Sequence, residues 1–180
     1  MIFTRVEGLL REGTHAATAA VGDPLRFLAR RGVPVVLVSA WQASEIRRLQ
    51  HECAFSQPFI CEDGAALYVP GTWLHEPASP SSHADGAGGW EVFRFSPPSV
   101  SAAVRLASEA FVARGHNPLL TVGIGCDLAD YTLLMAVDVP IVVRGRSGSQ
   151  PDLLLNLPGV YVTSASGADG WSEAVLGAPH

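Results

Sequence analysis

Along the chain, short apolar runs alternate with stretches whose apolar positions recur every three or four residues, and this alternation predicts the fold. Ile2 to Val6 reads as a short buried strand, broken at Glu7-Gly8. Residues 11 to 22 are small and polar enough for a loop or a frayed helix. Asp23-Pro24 then supplies an N-cap and a first-turn proline for a helix that buries Leu25, Phe27 and Leu28 and stops at Gly32. Pro34 to Ser39 is apolar on both faces, as a central parallel strand requires. Ser44 caps a second helix in which Ile46, Leu49 and Cys53 share a face; Phe59 to Cys61 and Ala65 to Val69 follow as hairpin strands around Glu62-Asp63-Gly64.

Residues 70 to 89, rich in Gly, Pro and Ser, show no hydrophobic period and read as a loop. Trp90 to Phe95 alternates large apolar residues with charge, the pattern of an amphipathic edge strand, and Pro97-Pro98 ends it. A helix from Ser99 to about Arg114 buries Val100, Val104, Ala107 and Phe111, with Gly115 as its stop. The stretch Leu119 to Val143 reads as strand, tight Gly123-Ile124-Gly125 turn, acidic loop with Asp127 and Asp130, helix, and strand from Val139. A helix at Pro151 to Leu157, a strand at Val160 to Thr163 and a helix around Trp171 to Leu176 complete the chain. Strands alternating with helices predict an α/β fold in three layers, with a mainly parallel sheet covered on both faces. In such sheets ligands bind beyond the carboxyl ends of the strands, which places the candidate site at the turn after Val122.

Composition bounds the function. At 180 residues and 48% hydrophobic, residues 1–180 suit a single domain. A net charge of -5 offers no electrostatic footprint for nucleic acid or for an anionic membrane, and no window approaches a membrane span. All twelve basic residues are Arg, so any mechanism that needs a lysine is excluded. Cys53, Cys61 and Cys126 form neither a CxxC pair nor a zinc spacing, and the N-terminus lacks the features of a signal peptide; a cytoplasmic protein is expected. Glu7-Gly8-Leu9-Leu10 is not a dinucleotide fingerprint.

The order of elements, with acidic-Gly-x-Leu after the first strand, Val-Ser after the second and a Gly-x-Gly acidic loop opening a helix, resembles the haloacid dehalogenase superfamily. The strings RRGVPVVLVSAW, QPFICEDGAALYVPG, WEVFRF, TVGIG with MAVDVPIVV, and GVYVTSASGADGWSEAVL are similar to the mannosyl-3-phosphoglycerate phosphatases. The resemblance implies a three-layer α/β/α, Rossmann-like, HAD-like core. It also implies a Mg²⁺-dependent phosphohydrolase acting through an aspartyl-phosphate. Ser39 stands where the phosphate-binding hydroxyl belongs, with Gly8 and Gly125 as further phosphate-binding positions, and Asp130 where the last metal-site carboxylate belongs.

The remaining positions depart from that pattern. Arg5 stands at the nucleophile position, Glu7 at the acid/base position and Leu9 at the neighbouring Thr. Cys126 replaces the first loop Asp and Ala129 the Asn, with Asp127 one place along. Beyond a first strand, at about 90–98, the cap is missing. A guanidinium cannot attack phosphorus and repels Mg²⁺ from the same pocket; it is expected to pair with Asp130 or Asp127 as the local cation.

Bland readings stand beside these. Ser39 can satisfy backbone groups at a strand end, Asp127 and Asp130 can act as helix N-terminal carboxylates, and Cys126 is either a low-pKa nucleophile or a half-buried thiol. The expectation is a protein that has lost turnover and serves as a binding, regulatory or subunit-interaction domain, with no cofactor and with a phosphorylated small molecule as a possible ligand. A homodimer through Trp90 to Phe95 is expected because an exposed aromatic edge needs cover. The alternative is a Mg²⁺-dependent phosphohydrolase of a sugar phosphate or phosphoglycerate derivative, with Glu7 or Asp127 rewired as nucleophile or base and Asp130 and Asp127 on the metal.

Overall fold

The computed structural model describes residues 1–12, 15–16, 18–52, 56–71, 83–85, 89–113, 120–145 and 151–177. They fall into two compact units, one of residues 1–35 with 120–180 and one of residues 36–119.

The first unit is a parallel α/β assembly. Its strands β1 (Ile2–Arg5), β9 (Val122–Gly125), β10 (Val139–Arg144) and β11 (Tyr161–Ser166) lie in the order β11-β10-β9-β1, every neighbouring pair parallel. Successive residues of a strand face opposite sides of the sheet, and β10 shows what covers each side. Val142 joins Leu134 of α4 (Tyr131–Leu134) with Leu154 of α5 (Asp152–Leu155). Val143 meets the other face, where α6 (Gly167–Gly177) comes so near that a Cβ on Gly170 would lie 2.7 Å from Val143 Cγ1. Helices thus cover both faces, as expected. Thr121 and Asp138 fasten the amino ends of β9 and β10: the Asp138 carboxylate accepts from the Thr121 amide at 2.9 Å and hydroxyl at 2.6 Å.

Two expectations for this unit are corrected. The small residues 11 to 22 contain a short hairpin, β2 (Arg11–Glu12) with β3 (His15–Ala16), and the start of helix α1 (Thr18–Arg30). Asp23 is therefore not an N-cap, and Pro24 sits inside the helix rather than at its first position. A residue can carry the local chemistry of a cap and still be overridden when the helix gains a further turn. The second correction concerns Gly123-Ile124-Gly125, which is strand β9 itself and not a turn. These glycines provide clearance: a Cβ on Gly123 would lie 2.7 Å from Val137 Cγ2, and one on Gly125 would lie 2.6 Å from Asp130 Cβ.

The second unit begins in β4 (Val35–Val38), paired parallel with β5 (Phe59–Cys61). From β5 the sheet turns antiparallel through β6 (Ala66–Pro70), β8 (Trp90–Arg94) and β7 (His83–Asp85). Helix α2 (Ala43–Glu52) buries Ile46 and Leu49 as predicted, while Cys53 lies outside the described residues. The helix starts one residue before Ser44, and the Glu45 carboxylate accepts from the Gln42 amide at 3.2 Å, so Ser44 is not the cap. Helix α3 (Val100–Val112) begins one residue after Ser99, which caps it: the Ser99 hydroxyl accepts from the Ala102 amide at 3.2 Å. Only residues 95–99 separate β8 from α3, which leaves no room there for a cap domain.

The edge-strand reading of Trp90 to Phe95 is overturned. β8 pairs with β6 on one side and on the other with β7, which comes from the stretch read as a loop. The homodimer expected there loses the open edge it was argued from. Among the described residues, no helix is long and apolar enough to cross a membrane.

Candidate functional site

The carboxyl ends of β1 and β9 bring the predicted residues of the first unit together. Strand β1 is buried throughout and ends on Arg5, itself only 9% exposed. The chain then turns through Gly8 at φ +75°, where a Cβ would sit 3.1 Å from Cys126 Sγ, so Gly8 is required by both conformation and space. Beyond β9 one turn of 3₁₀ helix, Leu128–Asp130, is closed by a reciprocal cap. In it the Asp127 carboxylate accepts from the Ala129 amide at 2.8 Å, and Asp130 Oδ2 accepts from the Asp127 amide at 3.2 Å and the Cys126 amide at 2.7 Å.

Asp130 thus turns its other oxygen to β1. Arg5 Nε lies 3.3 Å from Asp130 Oδ1 and 3.0 Å from Glu7 Oε2, so one buried guanidinium bridges the Glu7 and Asp130 carboxylates. The Cys126 thiol closes the group, 3.7 Å from the Glu7 carbonyl to which it donates. Of the two partners expected for Arg5, Asp130 is the one it meets; exposed Asp127 caps its own turn.

Burial dominates the electrostatics. It pushes the Asp130 carboxyl up to about 6, against the pull of the Cys126 amide and of Arg5. It also pushes the Cys126 thiol up to about 12, aided by the charges of Asp130 and Asp127. Cys126 therefore stays protonated at neutral pH, which decides for the half-buried thiol against the low-pKa nucleophile. Cys126, Asp127 and Asp130 each bring one ligand atom to within 4.8 Å of the others, the acidic group among the described residues that could hold a cation.

Ser39 belongs to the second unit. It is fully buried just beyond β4, where its hydroxyl accepts from the Trp41 amide at 3.0 Å and its own amide donates to the Ile60 carbonyl at 3.0 Å. Gly125 is the last residue of β9, packed against Asp130.

One contact supporting the site was not read from the sequence. Trp171 of α6 is fully buried, and its indole Nε1 donates to Thr4 Oγ1 at 2.8 Å. Thr4 in turn donates to the Arg5 carbonyl at 3.3 Å, so α6 helps fix the strand end that carries Arg5. A polar Thr inside a buried strand was the available signal, because a buried hydroxyl and a buried indole N–H both need a partner.

No family model matches the chain. Over 70 residues it is 30% identical to a glucosyl-3-phosphoglycerate/mannosyl-3-phosphoglycerate phosphatase of Persephonella marina. That match takes in 39% of this chain and 26% of the relative, so it spans about a quarter of the relative's length. Solved structures resemble the chain over nearly its whole length. A protein of Thermoplasma acidophilum superposes with a TM-score of 0.66 at 12% identity, covering 96% of this chain and 94% of that one. A haloacid dehalogenase-like hydrolase from B. subtilis does so at 0.66 and 11%, covering 99% of each chain. The cobalt-bound deoxy-D-mannose-octulosonate 8-phosphate phosphatase of Haemophilus influenzae reaches 0.58 at 14%, covering 97% of this chain and 85% of that one. At these identities the likeness establishes a fold.

Proposed function

We propose that this chain, which has the haloacid dehalogenase-like α/β fold, is a cytoplasmic relative of the sugar-phosphoglycerate phosphatases that binds a partner or a phosphorylated small molecule and has lost turnover. The observation that carries the reading is the buried Arg5, 3.3 Å from Asp130 and 3.0 Å from Glu7. By resemblance Arg5 stands where a carboxylate nucleophile is needed. Its guanidinium carries a fixed charge and offers no electron pair for attack at phosphorus.

The Mg²⁺ that the fold family implies does not fit these residues. Asp130 Oδ2 already accepts two amides and Oδ1 faces Arg5. Cys126 offers a soft sulfur donor where a hard cation needs oxygen. Calorimetric titration with MgCl₂ tests the reading: no saturable binding is expected at millimolar concentrations, and stoichiometric binding would overturn it.

The alternative, a working phosphohydrolase of a sugar phosphate or phosphoglycerate derivative, draws support from the 30% identity to the Persephonella phosphatase and from the Cys126, Asp127, Asp130 group. It requires Glu7 or Asp127 to act as nucleophile or base while Arg5 moves aside.

A further inference from the structure

A second group of donors lies at the carboxyl ends of β10 and β11, apart from Arg5. The pairing of these strands shifts after Val142: Val142 faces Val162, but Arg144 faces Ser166, so β11 bulges at residues 163–165. Thr163 builds the bulge. Its buried hydroxyl accepts from the Arg144 amide at 3.0 Å and donates to the Ala165 carbonyl at 2.7 Å. Arg144 Nε donates to the Thr163 carbonyl at 3.3 Å, which holds its guanidinium beside the bulge.

The bulge leaves two successive amides aimed at one carboxylate. The Ser164 amide donates to both oxygens of Glu173, at 2.8 and 3.1 Å, the Ala165 amide to Oε2 at 2.9 Å and the Tyr161 hydroxyl to Oε1 at 2.8 Å. The receptor is rigid on the helix side as well, because a Cβ on Gly170 would lie 2.5 Å from the Ala165 carbonyl oxygen. Two adjacent amides that share the two oxygens of a planar group match a carboxylate, as in the backbone nests that capture chain ends. The donors hold the Glu173 carboxyl below its ordinary range, the Ala165 and Ser164 amides first.

We propose that Tyr161, Ser164, Ala165 and Arg144 form a carboxylate-binding site that the chain closes with its own Glu173, and that a ligand carboxylate must displace that side chain to bind. A closed receptor shows an affinity lowered by the fraction of time it stands open. Emptying it should therefore tighten binding without adding a contact.

The test is acetate titration at constant ionic strength, followed by the backbone amide shifts of Ser164 and Ala165. Glu173→Ala should bind acetate at least about 10-fold more tightly than the parent, with inorganic phosphate a weaker ligand because its oxygens are not coplanar. Tyr161→Phe in the Glu173→Ala background should weaken acetate by about 2- to 10-fold, the worth of one hydrogen bond. Should Glu173→Ala fail to fold, Glu173→Gln keeps the packing and should still bind acetate more tightly than the parent. Equal affinity in parent and variant, or no saturable shift in either variant, would make Glu173 a structural clamp only and overturn the proposal.

Discussion

Arg5 Nε lies 3.3 Å from Asp130 Oδ1, and this pair joins the end of β1 to the turn that follows β9. Both side chains are buried, so removing one partner leaves a charge in low dielectric. Arg5→Ala should destabilise the protein by about 3 kcal/mol at pH 8 in urea unfolding. The loss should be smaller at pH 5, because Asp130 can then take up a proton and shed its charge. An equal loss at both pH values would show that Asp130 is not the partner that matters.

Asp130 itself sets a pH dependence. Burial pushes its carboxyl up to about 6, above its ordinary value of 3.8, so the folded state holds the proton more tightly than the unfolded chain does. The native state should gain stability as pH falls from 7 through 6 toward 4, and lose it again as pH rises through 6. The gain attributable to this group is about 2 to 3 kcal/mol at most. Asp130→Asn should lack this slope, and the difference between parent and variant unfolding energies across pH 4.5 to 7.5 measures it.

The indole of Trp171 should matter through its nitrogen as well as its volume. Trp171→Phe and Thr4→Val each remove the 2.8 Å hydrogen bond and leave one buried partner. Each should cost about 1 to 3 kcal/mol, and the double variant should cost less than the sum. Strict additivity in thermal unfolding would mean that the bond contributes nothing.

Gly125 is predicted to tolerate no side chain. A Cβ there would lie 2.6 Å from Asp130 Cβ, which is anchored by two amides and by Arg5. Gly125→Ala should therefore cost about 1 to 3 kcal/mol and shift the amide resonances of Cys126 and Asp127. Parental stability would place the Asp130 turn further from β9.

These outcomes follow the line between what the sequence displayed and what it concealed. Strand β4 was legible because every residue in it is apolar, and β1 because Ile2, Phe3 and Val6 make a short apolar run ended by Glu7-Gly8, signals that need no tertiary information. The pairing of Arg5 was legible for a similar reason: a guanidinium at a buried strand end requires a carboxylate, and Asp127 and Asp130 were the candidates. Choosing Asp130 required the cap of the 3₁₀ turn, which holds Asp127 on the Ala129 amide. Gly123 and Gly125 were misread as a turn because glycine permits a turn and a close approach equally well, and only the positions of Val137 and Asp130 decide between them. The cover on β8 was concealed because β7 is three residues of weak strand propensity, identified as a strand only by its pairing with β8. The Thr163 bulge was concealed for a related reason, since it exists only through the register of β10.

Turnover tests most directly the proposal that Arg5 has ended hydrolysis. Purified parent protein is assayed with Mg²⁺ on mannosyl- and glucosyl-3-phosphoglycerate and on simple sugar phosphates, alongside Glu7→Gln, Asp127→Asn and Arg5→Asp. Only background phosphate release is expected from all four proteins. Arg5→Asp should also stay inactive, because a carboxylate at that position alone cannot restore catalysis in a chain with no lysine and with Cys126 where the resemblance puts the first loop Asp. Mg²⁺-dependent hydrolysis by the parent, abolished in Glu7→Gln or Asp127→Asn, would contradict the account and establish the rewired phosphatase in its place.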